Sequence, residues 1–154
     1  MTDDIEAKLA ERGLSLPEAT APMANYVPYV RTGNLLHVSG QVPFRDGELV
    51  IGKLGDTMGV EDGAKAAELC ALSLLSQVRT ACGGDLARLV RVVKLVGFVN
   101  STGDFGDQPK VVNGASDLMV ALLGDRGRHA RSAVSAGSLP FGVAVEIEGV
   151  FELA

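Results

Sequence analysis

The sequence predicts an α+β domain, one mixed sheet with two long helices laid on a single face. Three observations carry this. Residues 60–82 and 109–123 repeat apolar residues at three- and four-residue steps, the period of a helix buried on one side. The β-branched runs around them give the order β-β-β-α-β-α-β-β. The run Leu89-Val-Arg-Val-Val-Lys-Leu-Val-Gly-Phe-Val99 is apolar at both parities, as a strand buried on two faces reads. Two helices cover only one face of such a sheet. The economical cover for the other is a second copy of the chain. A homo-oligomer is therefore expected, its open sheet faces turned inward and its sites where subunits meet.

Each element has its own signal. Asp3 to Arg12 places Ile5, Leu9 and neighbouring alanines on one side and stops at Gly13, which predicts a short amphipathic helix. Pro17 and Pro22 make the next segment turn-like. Residues 26–31 and 35–39 read as strands about a Thr32-Gly33-Asn34 turn. A further short strand is expected around Leu49-Val50-Ile51, after the Asp46-Gly47 turn. From Val60 to Cys82, an alanine-rich stripe of Ala64, Ala67, Ala71, Leu74, Leu75 and Val78 suits close approach to a sheet, and Gly83-Gly84 ends the helix. Pro109 fits the first turn of the next helix, which runs to Leu123. Two C-terminal strands follow, joined through Leu139-Pro140-Phe141-Gly142. Residues 1–23 form an N-terminal helical extension and 24–154 a single domain, without internal repeat or linker.

Composition narrows the function. A net charge of −5, a pI of about 5.0, scattered basic residues and no tryptophan oppose a nucleic-acid partner, whose phosphates are held by clustered Lys and Arg. No apolar run approaches the ~18 residues of a membrane span. The N-terminus is acidic rather than basic-then-apolar. A cytoplasmic location and no membrane partner are the expectations. Cys70 and Cys82 share one helix some ~18 Å apart along its axis, too far to bridge, and read as reduced, packed thiols. No Cys/His spacing suggests a metal.

The chemistry lies near the C-terminus. Arg131 sits in an otherwise apolar strand, where a charge is expensive unless an anion meets it. Its planar fork matches a carboxylate. Glu146 and Glu148 share one face of the next strand, and Glu146 is placed to handle protons or water. The competing readings are an ion pair between Arg131 and Glu146 or Glu148, and a plain solvated face for the glutamates. His37, on an apolar strand, is expected to be packed, and His129, at a turn, to face solvent.

Several segments together resemble the Rid (reactive intermediate deaminase) family, also known as YjgF-like or endoribonuclease L-PSP proteins. They are Tyr26, Gly33-Asn34, Val38-Ser39-Gly40-Gln41-Val42-Pro43, Phe98-Val99, and Arg131 through Leu139-Pro140 to Glu148. The resemblance covers residue 24 to the C-terminus. It implies a chorismate-mutase-like homotrimer with ligand clefts between subunits. It also implies cofactor-free hydrolytic deamination of small enamines and imines such as 2-aminoacrylate, giving 2-keto acids and ammonia. By position, Arg131 would clamp the substrate carboxylate and Glu146 would position water or relay protons, with Tyr26, Ser39 and Asn113 near the cleft. The chain departs from the pattern at Ala133, where a cysteine is frequent, in its N-terminal addition, and in a longer 101–108 loop. The alternatives are a trimeric binder or sensor of small carboxylates without turnover, and, below it, an RNA-cleaving translation inhibitor.

Overall fold

Period-2 and period-3.6 patterns resolve into the following elements in a computed structural model that describes residues 4–22 and 24–154. They are α1 (Ile5–Glu11), β1 (Tyr29–Thr32), β2 (Leu35–Gln41), β3 (Phe44–Arg45), β4 (Glu48–Leu49), α2 (Val60–Ala81), β5 (Leu89–Asn100), α3 (Gln108–Leu123), β6 (Ala130–Ala136) and β7 (Val145–Leu153). The α1 cap is Asp4, whose side chain accepts the Ala7 N–H; Asp3, the start expected from the sequence, lies outside the described residues. The strand expected around residues 49–51 is the second arm of the small β3–β4 ribbon, turned at Asp46-Gly47 with both residues at positive φ. Tyr26 precedes β1 in a bend rather than opening the strand.

The main sheet has the order β1-β2-β7-β5-β6. The C-terminal strands are thus not neighbours, contrary to the reading of β6 and β7 as joined by a tight turn. β5 lies between them, parallel to β6 and antiparallel to β7. The reason is the α3 crossover: a helix between β5 and β6 returns the chain in the same direction, as parallel pairing requires. Residues 137–144 then carry it the ~10 Å across β5 to its other side.

Both long helices pack on one face of this mixed sheet. Leu36, Val38, Leu95, Val99, Ile147 and Phe151 point into that layer and are buried. Ile5 and Leu9 of α1 join the same cluster. The other face is open in the single chain, with Val30 55% and Val134 45% exposed. His37 belongs to this open face and is exposed, not packed, because strand alternation turns it away from buried Leu36 and Val38. Among the described residues no helix is long and apolar enough to cross a membrane.

The helix pair closes through a glycine. A Cβ at Gly114 of α3 would overlap the Ala64 carbonyl group of α2. Replacing glycine by alanine inside a helix favours folding by up to about 1 kcal/mol. Overpacking against backbone costs about 1–3 kcal/mol or more, so the clash wins. Gly114→Ala is expected to lower the denaturant midpoint at unchanged slope; an equal or higher midpoint would show that the helices can separate freely.

Candidate functional site

The residues singled out by sequence fall into two groups on opposite sides of the sheet. Arg131 of β6 pairs in register with Leu95 of β5, which pairs onward with Gly149 of β7. Leu95 points toward the helices, so Arg131 does too. Along β7, buried Ile147 shares the parity of Gly149, while Glu146 and Glu148 have the other and face the open side.

On the helix side, Arg131 is half-buried at the sheet edge under α3. Its Nη1 donates to Asn113 Oδ1 at 2.7 Å and to Ser116 Oγ at 3.1 Å. Asn113 and Ser116 stand three residues apart, so α3 presents both on one face. Ser116 Oγ lies 2.9 Å from His129 Nε2, and His129 Nδ1 lies 2.6 Å from the Gly127 carbonyl. His129 is therefore half-buried and bonded at both nitrogens rather than solvent-facing, because it shares the parity of Arg131, two residues on. Burial holds its pKa below the ordinary histidine range, with the Arg131 charge acting in the same direction and the Gly127 bond against it. Arg131 makes no ion pair among the described residues; its partners are neutral, and its Nε and Nη2 make no hydrogen bond within the described chain. The intrachain pair with Glu146 or Glu148 is thus not formed.

On the open side, Glu146 is half-buried at the start of β7. It borders a cleft of about 330 Å³ whose walls include Tyr26, Pro28, Gly40, Gln41 and Phe141. Thr20, Ala21 and Pro22 of the N-terminal segment add a further wall. The carboxyl group packs on Gly40, where a Cβ would come within 2.9 Å of Glu146 Cδ and Oε2. Any larger residue there would push the carboxyl aside. Burial raises the Glu146 pKa above the ordinary range, and the charge of Glu148 raises it further. Glu148 itself is exposed on the open face. Phe141, at φ 60°, is 61% exposed at the cleft rim, and Tyr26 is 52% exposed.

Ser39 supports this half from behind. Its hydroxyl donates to the Val27 carbonyl at 2.9 Å and its N–H to the Pro28 carbonyl, tying the segment that carries Tyr26 to β2. Cys70 and Cys82 are free and buried. Burial first, and the Glu146 charge second, raise the Cys70 thiol well above its ordinary pKa, which suits packing rather than nucleophilic attack. Among the described residues no group of three or more His, Cys, Asp or Glu could hold a metal ion.

The fold therefore joins Arg131 with Asn113, and Tyr26 with Glu146, but not the two pairs with each other. Sequence reasoning missed Ser116, His129, Gly40 and Phe141 as parts of these groups. The first two had a signal: Ser116 follows Asn113 by three residues on a helix, and His129 precedes Arg131 by two at a strand's start.

Residues 6–149 match the YjgF/chorismate mutase-like, putative endoribonuclease family model. The chain belongs to that family. It is 50% identical to protein TCP17 of Trypanosoma cruzi over 151 residues, 97% of this chain and 94% of that one. The crystal structure of Atu1372 from Agrobacterium tumefaciens superposes with a TM-score of 0.93 at 48% identity, covering 99% of this chain and 94% of the other. RidA from an Antarctic Psychrobacter superposes at 0.60 with 28% identity, over 88% and 94%. The chorismate-mutase-like fold expected from the sequence is the fold observed, and the family match spans both groups of site residues.

The raised Glu146 pKa has a consequence for stability. Folding favours its protonated form, so that stability is present below the ordinary glutamate range and lost as pH rises through the raised value. Glu146→Gln removes this loss. The variant is expected to melt above the wild type at about pH 8, with the difference closing toward about pH 4. A difference that stayed constant across that range would show that the carboxyl ionises freely.

Proposed function

We propose that this protein is a cofactor-free hydrolytic deaminase of small 2-imino acids and their enamine tautomers, 2-aminoacrylate among them, with each site made from two protomers. The observation that supports this best is the state of Arg131. Neutral partners hold one nitrogen, and the Nε–Nη2 edge remains as a two-pronged fork. That edge is the geometry in which guanidinium binds a carboxylate bidentately.

In the proposed reaction the enamine first takes a proton from solvent at its β-carbon and becomes the iminium ion. Water then adds to the iminium carbon, losing a proton to the Glu146 carboxylate, and a tetrahedral carbinolamine forms. Glu146 returns the proton to nitrogen and the C–N bond breaks. Ammonia leaves as the C=O bond of the keto acid forms, and the hydroxyl proton passes to solvent. A carboxyl group with a raised pKa suits both proton transfers. No redox change occurs, so the balance needs only water. Arg131 would contribute by orientation, holding the carboxylate while the iminium carbon meets the water.

Because Arg131 and Glu146 face opposite sides of one sheet, their cooperation requires the Arg131 edge of one protomer to reach the Glu146 cleft of another. Exposed Val30 and Val134 on the open face favour such an association, in which three copies would enclose their open faces. The expected assembly is a homotrimer, measured by sedimentation or native mass.

With a serine dehydratase supplying 2-aminoacrylate and semicarbazide trapping the imine, the protein should accelerate pyruvate release. Arg131→Ala should lose roughly 30- to 4,000-fold, from the ~2–5 kcal/mol of a buried charged contact at tenfold per ~1.4 kcal/mol. Mixing inactive Arg131→Ala and Glu146→Gln protomers by reversible dissociation should then restore about a quarter of the activity, since a head-to-tail interface pairs the two intact residues in that share of sites. Mixed protein as dead as its parents would rule out a shared site.

The free fork equally suits a binder of keto acids without turnover. Tight pyruvate binding without accelerated release would favour that reading over the deaminase. An endoribonuclease role has the family description behind it and the net charge of −5 against it. RNA cleavage that co-purifies with the protein and weakens steeply with salt would support it.

A further inference from the structure

We infer that Ser116 and His129 are positioning residues, a two-step relay that turns the free edge of Arg131 toward its carboxylate ligand. The inference rests on the proposed reading that Arg131 receives such a ligand. It concerns residues that neither line the Glu146 cleft nor carry the family resemblance.

The protons of the relay follow from donor and acceptor chemistry together with a neutral imidazole. Arginine only donates, so Ser116 Oγ accepts from Nη1, and so does Asn113 Oδ1. A carbonyl only accepts, so His129 Nδ1 carries a hydrogen and donates it to Gly127. Burial and the nearby Arg131 charge favour neutral imidazole, which leaves Nε2 bare. The remaining hydrogen, on Ser116, is then donated to Nε2. With a neutral imidazole, every polar hydrogen of the Ser116 and His129 side chains is then used, and the Nε–Nη2 edge of Arg131 is what remains.

The consequence is geometric. Both Nη1 hydrogens are engaged, one by Asn113 and one by Ser116, so the plane of the guanidinium is fixed at two points. A single acceptor would let the group swing about that bond. With two, the Nε–Nη2 edge has one direction. His129 makes no hydrogen bond to the guanidinium; it acts through the Ser116 hydroxyl, whose rotor it locks. The Gly127 carbonyl locks the ring in turn, and Gly127 is packed so closely on α3 that a Cβ there would overlap the Met119 carbonyl group. The relay is thus anchored to backbone at its far end.

The test uses the full chain and three readouts. In the unliganded wild type at about pH 7.5, long-range ¹⁵N–¹H imidazole correlations should show His129 as the neutral Nδ1–H tautomer. By calorimetry, Ser116→Ala should weaken pyruvate binding about tenfold, and Ser116→Thr, which keeps the hydroxyl, should restore it to within about twofold. In the deaminase assay the same alanine variant should raise KM with kcat nearly unchanged, as for lost ground-state binding. Should Ser116→Ala fail to fold, His129→Gln gives the same comparison. An Nε2–H tautomer, an imidazolium, full affinity in the alanine variant, or failure of threonine to rescue would each overturn the relay. Arg131-dependent pyruvate binding without accelerated deamination would overturn the enzymatic reading and leave the relay standing. A wild type that binds no pyruvate would overturn the role given to Arg131, and the relay with it.

Discussion

Alternation along a β-strand is the constraint on which the arrangement of this protein's candidate site depends. Successive side chains leave opposite faces, and register carries that parity unchanged across the sheet. Arg131 shares its parity with Leu95 and Gly149; Glu146 has the other. No rotamer can bring them together through the intervening backbone. The cation and the acid of the proposed reaction are thus separated within each copy, and the face that carries Glu146 also leaves Val30 and Val134 uncovered. In the proposed assembly a neighbouring chain laid against that face would answer both. Folding, association and chemistry would then become a single problem.

Element type was legible in the sequence because periodicity is local. The stripe from Ala64 to Val78 and the run from Leu89 to Val99 each report their own surroundings without reference to anything distant. Strand order was not legible, since nothing in 131–148 states that β5 will insert between β6 and β7. That follows only from the α3 crossover, which commits β6 to one side of β5 and leaves the other for β7. The same difference explains the histidines. His37 sits among apolar neighbours in sequence but alternates away from them in space, while His129 looks like a turn residue yet is drawn under α3 by the strand it precedes. Arg131, Asn113, Tyr26 and Glu146 could be named from the sequence; which of them meet could not.

Glu146 shows how the site works against the fold. A carboxyl group half-removed from water beside a second carboxylate costs stability when ionised, and no cation among the described residues pairs with it. Gly40 makes the position possible by offering backbone where any side chain would intrude. Natural sequences keep such locally unfavourable groups where function needs them. The cost is borne by a core of Leu, Val and Phe residues that is fully sealed on the helix side.

The shape of the cleft is also governed from a distance. Thr20, Ala21 and Pro22 form one of its walls, yet they belong to no helix or strand. What holds them is α2: buried Ser76 donates to the Pro17 carbonyl and buried Gln77 to the Thr20 carbonyl at 3.0 Å. Two polar side chains on the buried part of α2 would be costly unless bonded, and the segment ahead of it gives them acceptors. At the other end, Ile5 and Leu9 sink α1 into the common core. The segment is therefore held at both ends, which keeps Thr20, Ala21 and Pro22 in the same cleft wall as Glu146. The wall these residues form thus depends on bonds from α2 as well as on the side chains that line the opening.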